Sequence, residues 1–340
     1  MERTCAFITG ATGFIGSHLA RRLLTTEGYA VRALVRNPGE AAWLAELGAE
    51  LVPGDITQPD SYTQAVQGCQ IVFHTAGWVS ERGTRQQVWD VNVTGTQHVV
   101  NAALAANAQR FVHTSSCSVY GSRQAFDIDE RTPTRLTGKL YGDSKIAAEE
   151  IVFRAYYQNK LPVVVARISQ VYGPDSKQFT IRPVEVIQSG KMVLIDKGRH
   201  LCKAIYIDNL VDALLLCARV DAAVGEAINL TENPPVPWSE FFGAYARMMG
   251  IQSLPSLPYP IAWLAGLLFE IQAKMKGKRA SFSRGAVQSL RSSNSFSNQK
   301  ARDLLGWEPA ISLEEGMRRT EAWLRQQGYI TSSGKENHNE

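Results

Sequence analysis

The chain has 340 residues, 44% of them hydrophobic and 20% charged, and a formal net charge of +4. That composition excludes a disordered polar chain and leaves room for a sizeable core in one large or two intimate domains. The charge is too small and too scattered to argue for a nucleic-acid partner.

From residue 5 to about 168, short apolar runs alternate with segments of helical period, the pattern of repeated βαβ units and a doubly wound parallel α/β sheet. The expected strands are Ala6–Thr9, Val31–Val35, Glu50–Val52, Ile71–His74, Phe111–Thr114 and Val163–Arg167, each nearly all apolar, as suits strands covered on both faces. Helices are expected at Ile15–Leu24, Trp89–Ala106 and Tyr141–Tyr157, where apolar residues recur at three- and four-residue spacing.

After the first strand, Gly10-Ala11-Thr12-Gly13-Phe14-Ile15-Gly16 opens the first helix. Gly10 permits a tight turn, Gly13 lets the backbone approach a pyrophosphate and Gly16 lets the helix sit close on the sheet. The helix N-terminus then offers N–H groups and positive partial charge to the phosphates, with Thr12, Phe14 and Ile15 completing the cradle. A purely structural turn is the plainer alternative. The second strand ends Val35-Arg36-Asn37-Pro38. No acid is present there to bind a free ribose diol, and Arg36 stands where a 2′-phosphate would lie. This favours NADP(H); a solvated strand end would look the same, so NAD(H) stays open. Asp55 and Ile56, after the third strand, are placed to meet the adenine, although a turn aspartate explains Asp55 nearly as well.

The fifth strand runs into Thr114-Ser115-Ser116-Cys117-Ser118-Val119-Tyr120-Gly121 at the carboxyl edge, where open α/β sheets bind ligands. A hydroxyl there can hydrogen-bond a substrate oxygen as charge develops on it. The following helix opens Tyr141-Gly142-Asp143-Ser144-Lys145, and residues four apart project from one helical face. A free phenol has a pKa near ~10 and is a poor acid or base at neutral pH, but an adjacent ammonium and an oxidised nicotinamide stabilise the phenolate.

With these motifs in order, the chain resembles the extended short-chain dehydrogenase/reductases, which hold a nicotinamide dinucleotide in a Rossmann domain. The resemblance covers residues 5 to about 326. Thr9 to Gly16 matches the TGxxGxxG turn of that family, Asp90 to Thr96 its VNVxGT helix, and Thr114 to Gly121 its TSSxxVYG segment. Arg167 to Pro174, Tyr206 to Ala213 and Leu305 to Pro309 resemble its LRPxxVYGP, YVDDxxxA and LGWxP motifs. The resemblance implies hydride transfer to or from a carbonyl carbon, with Ser116 binding the reacting oxygen, Tyr141 as acid/base and Lys145 lowering the tyrosine pKa. It also implies cofactor contacts from Thr75, Ala76, Gly77, Asn92, Thr114, Tyr141, Lys145, Ile168 and Val171, and a homodimer formed through Trp89–Ala106 and Tyr141–Tyr157. Gly77-Trp78-Val79-Ser80 with Arg82-Gly83, and Tyr206 to Asp212, bring it nearest the 3β-hydroxysteroid dehydrogenase and dihydroflavonol reductase branches. Ser169 stands where sugar-nucleotide epimerases and dehydratases often carry asparagine, and no basic pyrophosphate loop is evident. A nucleotide-sugar epimerase or dehydratase with retained NAD is the alternative, and a dinucleotide-sensing scaffold, disfavoured by the intact triad, a third.

Residues 1–170 thus read as a dinucleotide-binding domain and 171–330 as a substrate lobe that returns some segments to the sheet. The polar tail 331–340 is expected to be disordered. Prolines punctuate the lobe. Its expected elements are a strand near Cys202–Ile207 and helices at Asn209–Arg219, near Ser239–Met249 and at Leu313–Gln326. Residues 80–87, 118–123, 172–203 and 255–290 should shape the substrate pocket, and they offer aromatic and aliphatic groups more than a fixed anion site, so an apolar substrate is expected. Lys203 and His200 are candidates to reach a polar substrate group. The apolar run from Pro258 to Ile271, with Lys274, Lys276, Lys278 and Arg279 after it, suits either packing on the body or an anionic membrane surface. Packing is preferred, since ~14 residues cannot span a bilayer. Five scattered cysteines with no CxxC pair, and a chain that runs from Met1 straight into a strand, point to a reducing, cytoplasmic setting. Six histidines without metal-ligand spacing point to catalysis without a metal.

Overall fold

Each apolar run of the N-terminal half forms a strand: β1 (Cys5–Thr9), β2 (Ala30–Val35), β3 (Glu50–Pro53), β4 (Ile71–His74), β5 (Arg110–Ser116) and β6 (Val163–Ile168). The structure, a computed structural model, describes residues 3–79, 83–121, 125–275 and 282–331. A seventh strand, β7 (Glu226–Leu230), returns from the lobe and pairs in parallel with β6. The sequence reading did not mark it. The resulting parallel sheet has the order β7-β6-β5-β4-β1-β2-β3. Strand order reverses between β1 and β4, which opens a crevice outside their carboxyl ends.

Alternation along the strands explains the two cores. Ala6 and Ile8 of β1 face one side with α1 (Phe14–Thr25) and α4 (Ile207–Arg219). Phe7, Val72 and Phe111 face the other, with α2 (Gly95–Ala105) and α3 (Leu140–Asn159). Burying each such side chain contributes about 1.5–3 kcal/mol. The first core continues into the lobe through Tyr172, Tyr206, Phe241 and Trp307, so lobe and sheet share one apolar interior. The lobe adds α5 (Trp238–Met248), α6 (Tyr259–Met275), α7 (Arg284–Leu290), α8 (Gln299–Leu305) and α9 (Leu313–Gln326).

Two expectations need correction. The helix expected at Trp89–Ala106 starts at Arg85 and passes through a π-helical turn, Asp90–Thr94, before α2. The wider turn accompanies an inward-facing Asn92 whose side chain bonds across to the β4 loop and to α3. The strand expected at Cys202–Ile207 is two short strands, Leu201–Cys202 and Ala204–Tyr206, separated at Lys203, and Ile207 already belongs to α4. The run from Pro258 to Ile271 does form a helix, α6, and it packs on the lobe along one narrow face: Ala262 and Gly266 are buried, Ala262 in a cluster with Ile195 and Val287. The tail from residue 332 lies outside the described residues, as do Ser80, Arg82 and the positions Lys276, Lys278 and Arg279.

Candidate active site

At the crevice, Gly10 has φ +73°, a left-handed conformation, and a Cβ there would lie 2.7 Å from the Ala76 nitrogen. A Cβ on Gly16 would overlap the Gly10 carbonyl oxygen and come 2.7 Å from Thr75 Oγ1. Only glycine lets this turn fold under the β4 loop. Gly13 precedes α1 without a side-chain cap, and the first turn, which holds Phe14, Ile15 and Gly16, carries no acid. The arrangement fits an anionic diphosphate, which supplies the acceptors that a capping side chain would otherwise provide.

Behind the turn runs a buried relay. Thr96 Oγ1 donates to the Asn92 carbonyl (2.7 Å), so it must accept from His74 Nε2–H (2.9 Å). His74 Nδ1 therefore accepts from Thr9 Oγ1 (2.7 Å), whose oxygen in turn accepts from Ala76 N–H (3.3 Å). Burial, and then the nearby Lys145 charge, push the His74 pKa down to about 3. A neutral imidazole is what the relay requires. It ties β1, β4 and the π-turn into one rigid edge, and Thr75 adds an Oγ1 bond to the Thr9 carbonyl (2.7 Å).

The three catalytic candidates converge on this edge. Lys145 is 4% exposed and donates from Nζ to the Thr114 carbonyl at 2.8 Å. A Cβ at Gly77 would lie 3.3 Å from that Nζ and 3.4 Å from Asn92 Oδ1, so β4 loop, lysine and asparagine share one small volume. Burial lowers the lysine pKa to about 8, opposed by the attraction of Glu149. Asn92 Oδ1 accepts from Trp78 N–H (2.6 Å) and its Nδ2 donates to Ser144 Oγ (2.9 Å), which holds α3 against the π-turn. Tyr141, half-buried in the first turn of α3, lies one helical turn before Lys145 on the same face. A Cβ on its neighbour Gly142 would be 3.2 Å from the Ser118 carbonyl, so the start of α3 abuts the loop that carries Ser116. Ser116 is half-buried, and its Oγ accepts from Ser118 N–H at 3.1 Å, leaving its own proton to donate.

Sequence reasoning missed the layer beneath. Arg167 forms a two-point ion pair with Glu149 (Nε to Oε1 3.0 Å, Nη2 to Oε2 2.7 Å), and both side chains are under a tenth exposed. Ser115 Oγ also donates to Glu149 Oε1 (2.5 Å). Arg167 Nη1 donates to Tyr120 OH (2.9 Å), which donates to Asn229 Oδ1 of β7 (2.7 Å). Tyr120 is fully buried and its phenol is pushed far up by burial, so Tyr141 is the accessible tyrosine of this edge. A signal was present: a lone arginine ends the apolar run of β6, and Glu149 continues the Tyr141, Lys145 stripe by one more turn. Asp143 was missed too; its carboxylate accepts from Thr137 and Gly138 N–H (2.9 Å each) and fixes the approach to α3.

The remaining candidates lie around the rim. Arg36 is exposed at the end of β2. Asp55 Oδ1 accepts from the Thr57 N–H (2.9 Å) and hydroxyl (2.8 Å), the bonding of a turn aspartate, while buried Ile56 packs toward α2. Ile168 and Val171 are buried at and just beyond the end of β6. Thr12 is exposed in the glycine turn. His200 is engaged by Ser293 Oγ (2.9 Å) and Asp196 Oδ2 (3.1 Å), and Lys203 Nζ is buried on the Leu201 carbonyl (3.2 Å).

The sequence model of the NAD dependent epimerase/dehydratase family matches residues 6–231. The chain belongs to this family. Members similar to it over nearly their whole length include the 2-alkyl-3-oxoalkanoate reductase of Shewanella oneidensis, 29% identical, with 94% of this chain and 86% of the relative covered. A 4-hydroxy-2-methyl-3-oxo-4-farnesyl-3,4-dihydroquinoline-1-oxide ketoreductase of Stigmatella aurantiaca is 30% identical over 92% and 94% of the two chains. A 3beta-hydroxysteroid-dehydrogenase/decarboxylase of Arabidopsis thaliana is 28% identical over 94% and 79%. Among solved structures, the UDP-glucose 4-epimerase of Thermotoga maritima superposes with a TM-score of 0.77 over 95% and 99% at 21% identity, a likeness of fold. The protein is therefore an enzyme of the NAD dependent epimerase/dehydratase family with reductase and dehydrogenase relatives.

Proposed function

We propose that the protein is an NADP(H)-dependent reductase or dehydrogenase for a ketone or secondary alcohol on an apolar lipid-, steroid- or polyketide-like molecule. The observation that carries the reading is the buried Lys145–Thr114 bond, which fixes the lysine under the carboxyl edge with Tyr141 one turn away and the Ser116 loop against the start of α3. Alkyl, farnesyl and steroid groups in the names of the relatives support an apolar substrate. The absence of an acid at the end of β2, where exposed Arg36 stands, supports NADP(H).

Gly10, Thr12, Gly13, Phe14, Ile15 and Gly16 would hold the diphosphate, Arg36 the 2′-phosphate, and Thr75, Ala76, Gly77, Asn92 and Lys145 the nicotinamide half. When bound, the nicotinamide supplies or accepts the hydride. Ser116 donates a hydrogen bond to the reacting oxygen, Tyr141 gives that oxygen its proton in reduction or takes it in oxidation, and the Lys145 charge holds the phenol acidic enough to do so. The test is steady-state turnover of an apolar 3-oxo compound with NADPH by the native chain and by Tyr141→Phe. Loss of turnover with NADPH binding retained is expected; full turnover by the variant refutes the assignment.

A further inference from the structure

The face of α6 that points away from the body carries Ile261, Leu264, Leu268, Ile271 and Met275, spaced 3, 4, 3 and 4 residues apart and therefore aligned in one stripe. Their exposures are 54%, 54%, 59%, 49% and 83%. Side chains of this size are seldom left in water together, and a continuous apolar surface of this kind marks an interaction site. The opposite face shows why the stripe cannot turn inward. Gly266 comes so close to α7 that a Cβ would lie 2.9 Å from the Arg284 nitrogen. Glu270 clamps the same arginine through its backbone N–H and Nε, at 2.8 Å each.

We propose that α6 docks the enzyme on an anionic phospholipid surface, lying in the plane of the interface with its apolar stripe inserted. Charge selects this occupant. Trp263 and Phe269 are not part of the stripe: they flank the buried side, Trp263 under the Arg284 guanidinium (5.3 Å) and Phe269 edge-on to Phe282 (6.2 Å). From residue 254 to 297 the sequence holds six basic residues and one acid, Glu270, and that acid is paired with Arg284. A second copy of this chain would bring the same positive charge to the contact, whereas anionic headgroups complement it. No helix among the described residues is long and apolar enough to cross a membrane, so the contact is interfacial.

The face is also joined to the site. The chain leaving α7 packs behind the Ser116 loop, where the Ser295 carbonyl accepts from Ile128 N–H (2.9 Å) and Phe296 stacks on Tyr120 at 5.7 Å.

The experiment is flotation of the full chain with phosphatidylcholine vesicles and with vesicles of equal parts phosphatidylcholine and phosphatidylglycerol, at low and high salt, together with sedimentation velocity without lipid. Binding to the anionic vesicles, weakened by salt and reduced about tenfold or more by Leu264→Glu with Leu268→Glu, is expected. The double variant should unfold at the same temperature as the native chain and bind NADPH equally, because both positions are exposed and neither is among the dinucleotide contacts. Failure to bind anionic vesicles, or equal binding by the variant, overturns the proposal. So does a lipid-free dimer that the variant splits, which would make a second copy the occupant.

Discussion

The carboxyl edge of the sheet and the surface of α6 depart from ordinary protein chemistry in opposite directions. At the edge, Lys145, Glu149, Arg167 and His74 are charged or polar and buried. On α6, Leu264, Leu268 and Met275 are apolar and exposed. Both arrangements cost folding free energy, yet the first is anchored and the second is not. Each buried group at the edge has a named partner, whereas the side chains of the α6 stripe are left about half exposed or more. An internally satisfied departure points to a site that works within the chain, and an unsatisfied one points to something outside it.

The comparison can be broken at the edge first. Replacing Tyr141 by Phe should lower turnover by about 10²–10⁴-fold while leaving dinucleotide affinity and thermal stability close to native, since only the proton-carrying atom is lost. Glu149→Gln should destabilise the fold by about 3–5 kcal/mol, measured by urea unfolding, because it leaves the Arg167 cation buried without its counter-charge. If that variant is as stable as the native chain, the ion pair is not what holds the Ser115–Ser116 turn.

Lys145 gives a subtler test, through pH. In the folded chain its pKa is lowered by burial to about 8 from the usual 10.5, so between these values the unfolded state binds more protons and stability rises with pH. The penalty for holding the charged lysine is fully present below about 8 and is lost as pH climbs toward 10.5. Lys145→Met should therefore melt at a higher temperature than the native chain at pH 7, with the gain shrinking at pH 10, and should be catalytically inert. A variant that melts lower at pH 7 would mean that the Thr114 bond outweighs the desolvation. The smallest effect is expected on the other side of the comparison. Leu264→Glu should change folding stability by no more than about 0.5 kcal/mol, as for any exposed position away from special contacts; a larger loss would show that the stripe packs against the body after all.

Legibility in the sequence followed the same division. β1 to β6 could be read because strands covered on both faces must be nearly all apolar, and α9 was read to its ends because its buried face recurs with helical period. β7 escaped because two of the five residues of Glu226-Ala-Ile-Asn-Leu are polar, which breaks the apolar run. Asn229 is satisfied only by distant partners: Tyr120, Ile128 and Glu130. The π-turn at Asp90–Thr94 escaped for a related reason, since the bonds of the inward-facing Asn92 reach Trp78 and Ser144. Ser116, Tyr141 and Lys145 were legible from spacing and resemblance, while the Glu149–Arg167 pair beneath them needed the fold to bring α3 and β6 together. For α6, an apolar helical run was plain in the sequence, but the side it would turn to solvent was not. That is decided by Gly266 and Ala262, small residues whose close approach to α7 only the packing reveals.

The most direct test of the central claim is the identity and exchange of the dinucleotide. Freshly purified protein should release no tightly held cofactor on denaturation and should bind NADPH reversibly and better than NADH. Arg36→Ala should weaken NADPH by about tenfold and leave NADH unchanged, the loss of one charge-assisted contact. Tightly retained NAD(H) that does not exchange, with no preference lost in the variant, would contradict the reductase account and turn the search toward chemistry that returns the hydride to its own substrate.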